Sequence, residues 1–178
     1  MGVAFSLIIL IILIIGDLIN GGFIYLFLSP LVGYAFYLFS LLLYGRFDVP
    51  LIIGIFAYKT YLCEMRYFKR RLRVLSVCII EEIIFRYVPI NYLDVSDSIK
   101  LFALSVLVSA VFSSLHNIKR KRSTIKQIDL FIFAMALFYI YFYTSQITFV
   151  ILIHYFRNVF IICGNDKITY NELVLNKS

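Results

Sequence analysis

Residues 74–92 read VLSVCIIEEIIFRYVPINY, a stretch with the length and apolar character of a membrane-spanning helix. A bilayer core of about 30 Å needs about 20 mostly apolar residues in a helix that crosses it. The basic run KRRLR at 69–73 precedes the stretch, and an acidic loop at 94–97 follows it. Because basic flanks stay in the cytoplasm, the sequence predicts a transmembrane helix that runs outward from residue 74.

Further apolar segments lie on both sides of this helix, separated by short polar breaks. They cover 3–19, 23–44, 49–63, 98–118, 128–144 and 146–163, with 64–73 as an interfacial helix. The 178 residues are 62% hydrophobic and 15% charged, with a mean hydropathy of +0.94. A soluble domain of this length cannot bury that much apolar surface. The sequence therefore predicts an all-α fold, a polytopic transmembrane helical bundle of about seven helices, with a range of six to eight.

The net charge of +7 is concentrated in two basic runs, at 69–73 and 119–122. The predicted topology places both runs on the cytoplasmic side and the acidic loop at 94–97 outside, as the positive-inside rule requires. Because both runs adjoin membrane segments, the lipid bilayer is the expected partner, and no nucleic acid is expected. We expect a multi-pass protein in the plasma membrane of a bacterium. Cys63, Cys78 and Cys163 are odd in number and lack metal spacing, so we expect them to be packing residues.

Several apolar segments contain ionisable side chains, each of which costs about 2.5–3.5 kcal/mol inside a membrane. Glu82 and Arg86 lie four residues apart, so they share a helix face and can pair. Glu81 points about 100° away and has no partner in its own helix. An unpaired carboxylate at such a position is a candidate general base near neutral pH. Asp17 is expected to cap the first helix or to face water near the interface.

The two histidines of the chain, His116 and His154, both lie in apolar segments. Taken singly, each is more often a packed core histidine than a catalytic one. His154 and Asn158 are four residues apart and share a helix face, as do Phe112 and His116; Arg157 lies in the same segment as His154. In the predicted topology Glu81, His116, His154 and Asn158 all fall in the cytoplasmic half of the membrane, so we expect these four to converge there.

Three motifs in this order resemble the CPBP family, which comprises CAAX prenyl endopeptidases of the Ras-converting type and bacteriocin-processing (Abi) intramembrane proteases. The motifs are Glu-Glu-x-x-x-Arg at 81–86, Phe-x-x-x-His at 112–116 and His-x-x-x-Asn at 154–158. The resemblance covers about residues 70–164, the expected catalytic membrane core. Residues 1–69 would form N-terminal membrane segments of unassigned role, and 165–178 a short polar C-terminal tail.

The resemblance implies an intramembrane endopeptidase, and the predicted topology places its active site nearer the cytoplasmic side. Glu81 would activate the hydrolytic water with help from His116. His154 and Asn158 would hold and polarise the scissile carbonyl and its oxyanion. The structural support of the site would come from the remaining motif residues, Glu82, Arg86 and Phe112. The implied partner is a membrane-associated peptide or protein, such as a CAAX-type substrate, a leader peptide or a pheromone precursor.

Three alternatives stay open at this point. Glu81, His116 and His154 could instead bind zinc, although the chain has no His-Glu-x-x-His helix, and we favour a mechanism without a cofactor. The protein could be a non-enzymatic bacteriocin-immunity or scaffold protein that keeps the motifs. It could also be a proton- or cation-linked transporter, although the sequence shows no inverted repeat.

Overall fold

The computed structural model describes residues 8, 11–17, 22–45, 68–93, 95, 97–120 and 123–175; of 119–120 and 163–175 only the backbone is described. The helices are α1 Phe23–Leu43, α2 Phe68–Glu82, a π-helical turn Ile83–Tyr87, α3 Val88–Tyr92, α4 Ser98–Arg120, α5 Thr124–Thr144 and α6 Ile147–Leu175. Residues 11–17 are helical as well, and no strand occurs in this part of the chain. The predicted all-α helical bundle is confirmed.

Three of these helices are long and apolar enough to cross a membrane, namely Phe23–Leu43, Ser98–Ile118 and Thr124–Thr144. A shorter apolar helix covers Ile147–Ile162. Large apolar side chains cover their outer surfaces, among them Phe23, Ile24, Phe27, Leu31, Ile99, Phe102 and Leu107. Such surfaces are compatible with lipid and not with water, so the chain is an integral membrane protein. The predicted segment 49–63 lies outside the described residues, as does most of segment 3–19.

Residues 68–73 continue directly into segment 74–92 as one helix, so the predicted boundary between an interfacial helix 64–73 and this segment is wrong. Two further helix boundaries differ from the predicted ones. The last helix was expected to end at residue 163, but α6 continues to Leu175 because Gly164 alone is a weak helix breaker and no proline follows it. Helix α5 begins at Thr124, four residues before the apolar segment, with Ser123 at its N-cap position. In both cases a helix extends beyond its apolar part, because hydropathy marks what the membrane covers and not where the backbone hydrogen bonds stop.

The helices pack in a few close pairs: α1 lies along α6, α4 lies along α5, and α2 packs on α6. Gly33 lets α1 approach α6, because a Cβ atom there would lie 2.8 Å from Phe156 Cβ and 3.0 Å from the Ile153 carbonyl oxygen. Serines 105, 109 and 113 are buried one turn apart on α4. Small side chains of this kind let helix backbones pack closely where the hydrophobic effect cannot drive association.

Two prolines are accommodated within the helical segments. Pro30 interrupts the hydrogen-bond ladder of α1, and the Ser29 hydroxyl donates to the Leu26 carbonyl at 2.8 Å, which satisfies one backbone acceptor of that turn. Pro89 follows the π turn 83–87, a wider turn that accommodates a proline ring where a regular α-helix would clash. The same π turn contains Arg86 and comes directly after the paired glutamates.

Asp17 has a partner that was not predicted from the sequence. Its carboxylate Oδ2 accepts a hydrogen bond from the Thr148 backbone N–H at 2.9 Å, at the start of α6. Asp17 therefore caps the last helix of the chain and not the first. A carboxylate at a helix N-terminus satisfies a free N–H group and complements the helix dipole. This contact ties the N-terminal helical residues to the helix that carries His154.

Candidate active site

Glu81 lies between two histidines that come from two other helices. Its Oε1 atom is 3.4 Å from His116 Nε2 on α4, and its Oε2 atom is 3.7 Å from His154 Nε2 on α6. The side chains of Glu81 and His116 are 20% and 26% exposed, whereas His154 is 3% exposed. The Glu81 carboxylate can therefore be reached from outside the bundle, while His154 lies on the buried side of the site.

Hydrogen bonds at Nδ1 determine which ring nitrogen of each histidine faces Glu81. His154 Nδ1 donates to Glu82 Oε1 at 2.6 Å, and His116 Nδ1 donates to the Phe112 carbonyl oxygen at 2.9 Å. We assign the Nδ1–H tautomer to both rings because each partner atom is an acceptor. In the neutral form each Nε2 then presents a lone pair to the Glu81 carboxylate. Three acceptors that face one another attract a hydrogen-bond donor, which can be a water molecule or a shared proton.

Glu82 differs from its neighbour Glu81 because it is fully buried. Its Oε2 atom is 3.2 Å from Nε of the equally buried Arg86. Neither Glu82 Oε2 nor Arg86 Nε makes a hydrogen bond, so the contact between them is an ion pair. Because the other Glu82 oxygen accepts from His154 Nδ1, this single carboxylate fixes both the arginine and the histidine. The adjacent glutamates thus face different environments, one open to the site and one closed.

Phe112 forms the floor between the two histidines and is fully buried. Its ring centroid is 4.4 Å from that of His116 and 6.1 Å from that of His154. The Arg86 guanidinium lies 4.7 Å from the same ring centroid, in a cation–π contact. The three residues expected to support the site, Glu82, Arg86 and Phe112, therefore all contact at least one of the histidines or the side chain that orients it.

Asn158 lies one turn beyond His154 on α6, on the side of α2 that carries Cys78. Within the described residues, its side-chain Nδ2 donates to Cys78 Sγ at 3.5 Å. Cys78 is buried, as expected of a packing residue, and precedes Glu81 by less than one helical turn. The structure thus brings Glu81, His116 and His154 into direct proximity and places Asn158 at the edge of this group. Cys63 and the Cys163 side chain lie outside the described residues.

A second buried polar cluster was not predicted from the sequence, in which Arg157 stands out as a polar residue but its partner does not. Arg157 Nη2 contacts Asp129 Oδ2 on α5 and donates to Ser40 Oγ on α1 at 3.0 Å. The Ser40 and Tyr44 hydroxyls both donate to the Asp129 carboxylate. Asp129 lies near the start of segment 128–144, where hydropathy alone suggests an interfacial residue. The signal for this cluster was an unmatched arginine and an unmatched aspartate in two apolar segments.

The three side chains that could bind zinc, Glu81, His116 and His154, are near one another. In the part of the chain that the structure describes, however, no three His, Cys, Asp or Glu side chains are spaced as metal ligands. Zinc binding at these side chains stays the less favoured of the two possibilities that the sequence leaves open.

The motif residues of the site lie between positions 81 and 158. The family model of the type II CAAX prenyl endopeptidases, Rce1-like, matches residues 70–160, just over half of the chain. The chain belongs to this family. Comparison with curated proteins and with solved structures finds no match. Membership in the Rce1-like family assigns the chain to the CAAX-type intramembrane endopeptidases, and the matched residues include every motif residue of the site.

Proposed function

We propose that this protein hydrolyses a peptide bond of a membrane-associated substrate by means of water that Glu81 activates. The observation that carries the proposal is the position of the Glu81 carboxylate between Nε2 of His116 and Nε2 of His154. A general base needs an exposed lone pair within reach of a water molecule and neighbours that orient that water. Glu81 meets both needs, because it is partly exposed and the acceptor Nε2 of His116 lies beside it.

The proposed reaction proceeds in two steps. In the first step Glu81 takes a proton from water, and the water oxygen attacks the scissile carbonyl carbon to give a tetrahedral oxyanion. In the second step the carboxylic acid of Glu81 gives this proton to the amide nitrogen, and the carbon–nitrogen bond breaks. His116 orients the water through Nε2, because its Nδ1 is engaged by the Phe112 carbonyl.

His154 and Asn158 are the groups that would hold the carbonyl oxygen as it becomes negatively charged. The Glu82 carboxylate at Nδ1 keeps Nε2 of His154 directed into the site. His154 can donate to the oxyanion only with a second proton on Nε2, which it would take from solvent before the reaction and keep through both steps, and Glu82 then balances the charge of the ring. The Asn158 amide is bonded to a thiol sulfur, which is a weak acceptor, so it can exchange this partner for an oxyanion. Arg86 holds Glu82 in place through the buried ion pair.

The substrate we propose is a membrane-anchored segment that enters from the cytoplasmic half of the bilayer. Support comes from the family, whose description names CAAX prenyl endopeptidases, and from the basic residues at the start of α2. A leader peptide or a pheromone precursor in a bacterial plasma membrane is an equally suitable substrate. The active site then faces the same side as the basic run at 69–73.

The test is cleavage of membrane-anchored peptides, with and without a prenyl group, by the purified protein in liposomes. The wild type should cleave at least one of them, and Glu81→Gln should lose cleavage. Asp97→Asn is the matched control, because this exposed carboxylate lies between α3 and α4, away from the site.

The same assay, run with EDTA and with added zinc, distinguishes the mechanisms. Cleavage that survives chelation supports the glutamate mechanism, whereas loss on chelation with rescue by zinc establishes a metalloprotease. Absence of cleavage by a folded wild type would contradict the proposal and favour an immunity or scaffold role. Proton or cation flux in the same liposomes would favour a transporter.

A further inference from the structure

The buried cluster around Arg157 is connected to the candidate active site through a single aromatic ring. The Arg157 guanidinium lies 4.2 Å from the centroid of the Phe133 ring. The centroid of the same ring lies 5.4 Å from that of His154, at an interplanar angle of 72°. Phe133 and Arg157 are buried, with exposed fractions of 1% and 2%. Phe133 therefore contacts both His154 and the buried guanidinium of Arg157.

Two side chains of α5 contact two of α6: Asp129 contacts Arg157, and Phe133 contacts His154. Asp129 and Phe133 are four residues apart on α5, and His154 and Arg157 are three residues apart on α6, so each pair shares a helix face. The carboxylate of one helix meets the guanidinium of the other, and the phenyl ring of the first meets the imidazole of the second. Any shift of α5 along α6 that moved Phe133 would also separate Asp129 from Arg157.

His154 needs this second contact because its hydrogen bond alone does not fix the plane of its ring. The bond from Nδ1 to Glu82 holds one atom of the imidazole, and the ring can still turn about that bond. Phe112 and Phe133 contact the ring at interplanar angles of 70° and 72°. The two phenyl rings thus limit this rotation and keep Nε2 directed at Glu81. Of the two, only Phe133 is held in turn by Arg157, since Phe112 contacts Arg86.

We propose that Phe133, held by the Asp129–Arg157 pair, is a positioning residue for His154. This inference rests on the proposed function for its effect on catalysis, whereas its geometric content can be tested without activity. Stability by itself does not require a charged pair at this place, because well-packed apolar residues often replace a buried ion pair without loss. The pair instead presents a planar cation to the Phe133 ring and sets the register of the two helices.

The first experiment compares Phe133→Leu with Phe138→Leu in the peptide-cleavage assay. Both phenylalanines are fully buried on α5, but Phe138 packs with Leu101 and Val108, away from His154. Phe133→Leu should lower kcat by about 10–100-fold with KM within about twofold of wild type, since loosened outer groups cost catalysis on that scale. Phe138→Leu should leave kcat within about twofold. Equal kcat values for the two variants would overturn the proposal.

A charge-neutral double variant separates positioning from the mere pairing of buried charges. Arg157→Met alone leaves Asp129 unpaired in the bundle and can fail to fold. The double variant Asp129→Leu with Arg157→Met removes both charges and should fold. If Asp129 and Arg157 serve only to neutralise each other's charge, this double variant will have the wild-type kcat. Our proposal expects a kcat about 10-fold lower at unchanged KM.

The second readout uses the fact that the chain has only two histidines. Protein labelled with ¹⁵N-histidine gives one set of imidazole signals each for His116 and His154, and His154→Gln assigns them. Phe133→Leu should shift the Nδ1–H and Nε2 signals of His154 and leave those of His116 unchanged, whereas Phe138→Leu should shift neither. Unchanged His154 signals in Phe133→Leu would overturn the proposal. This result is decisive even if the folded wild type cleaves nothing, which would contradict only the proposed function.

Discussion

Substitution of glutamine for glutamate should mainly lower stability at position 82 and mainly lower cleavage at position 81. Glu82→Gln removes the charge that faces buried Arg86 at 3.2 Å and weakens the bond from His154 Nδ1 at 2.6 Å. Removal of one partner of a buried ion pair costs about 3–5 kcal/mol, because the other charge stays buried without compensation. Since folded proteins are stable by about 5–15 kcal/mol, this variant should be severely destabilised.

Glu81→Gln should cost far less stability, because Glu81 is partly exposed and lies 3.4 and 3.7 Å from its histidine partners. The loss should be smaller than that of Glu82→Gln, because neither contact of Glu81 pairs two fully buried charges. Cleavage should nevertheless fall by at least about 10²–10⁴-fold, because an amide cannot replace a general base.

The assay is a thermal challenge in detergent followed by size-exclusion chromatography, run beside peptide cleavage. Glu82→Gln should lose its monodisperse peak at a clearly lower temperature than the wild type, and Glu81→Gln should keep it. A Glu81→Gln protein that is as unstable as Glu82→Gln, or a Glu82→Gln protein as stable as the wild type, would refute the assignment of one open and one buried carboxylate.

Three further predictions concern single residues. Asp17→Ala should cost about 1 kcal/mol by removing the cap on the Thr148 N–H, whereas Asp17→Asn should cost less, as thermal unfolding of the two variants will show. Gly33→Val should destabilise the bundle by about 1–3 kcal/mol through a clash between α1 and α6. Gly16→Val is the control, because there is open space around Gly16. Equal unfolding temperatures of the two variants would contradict the close approach of α1 to α6 at Gly33. Asn158→Ala should lower kcat by about 10²–10³-fold with little change in KM, and a kcat near that of the wild type would exclude it as an oxyanion donor.

Residues 81–86 show what can be predicted from the spacing of residues in the sequence. Because side chains four residues apart share a helix face, the pairing of Glu82 with Arg86 could be predicted from the sequence and is present in the structure. The separation of Glu81 from that pair followed from the same periodicity. The π turn at 83–87 could not be predicted in this way, because the spacing rule assumes a regular α-helix.

Long-range polar partners were beyond the reach of the sequence. Nothing in the local pattern shows that Asp17 caps α6 or that Asp129 meets Arg157, because these pairs are 131 and 28 residues apart. A helix pattern fixes which residues share a face, but the rotation of each helix about its axis is decided by close packing at residues such as Gly33.

The sequence by itself determined that the chain lies in a membrane, that it is helical, and which residues carry the three motifs. These properties follow from apolar length and from residue spacing within single segments, which are local quantities. The tertiary structure alone decided that Nε2 of each histidine faces Glu81, that Glu82 orients His154, and that Phe133 contacts this ring. The physical reason is that a tautomer, a ring plane and a buried charge depend on neighbours supplied by other helices, and only the folded bundle brings them together.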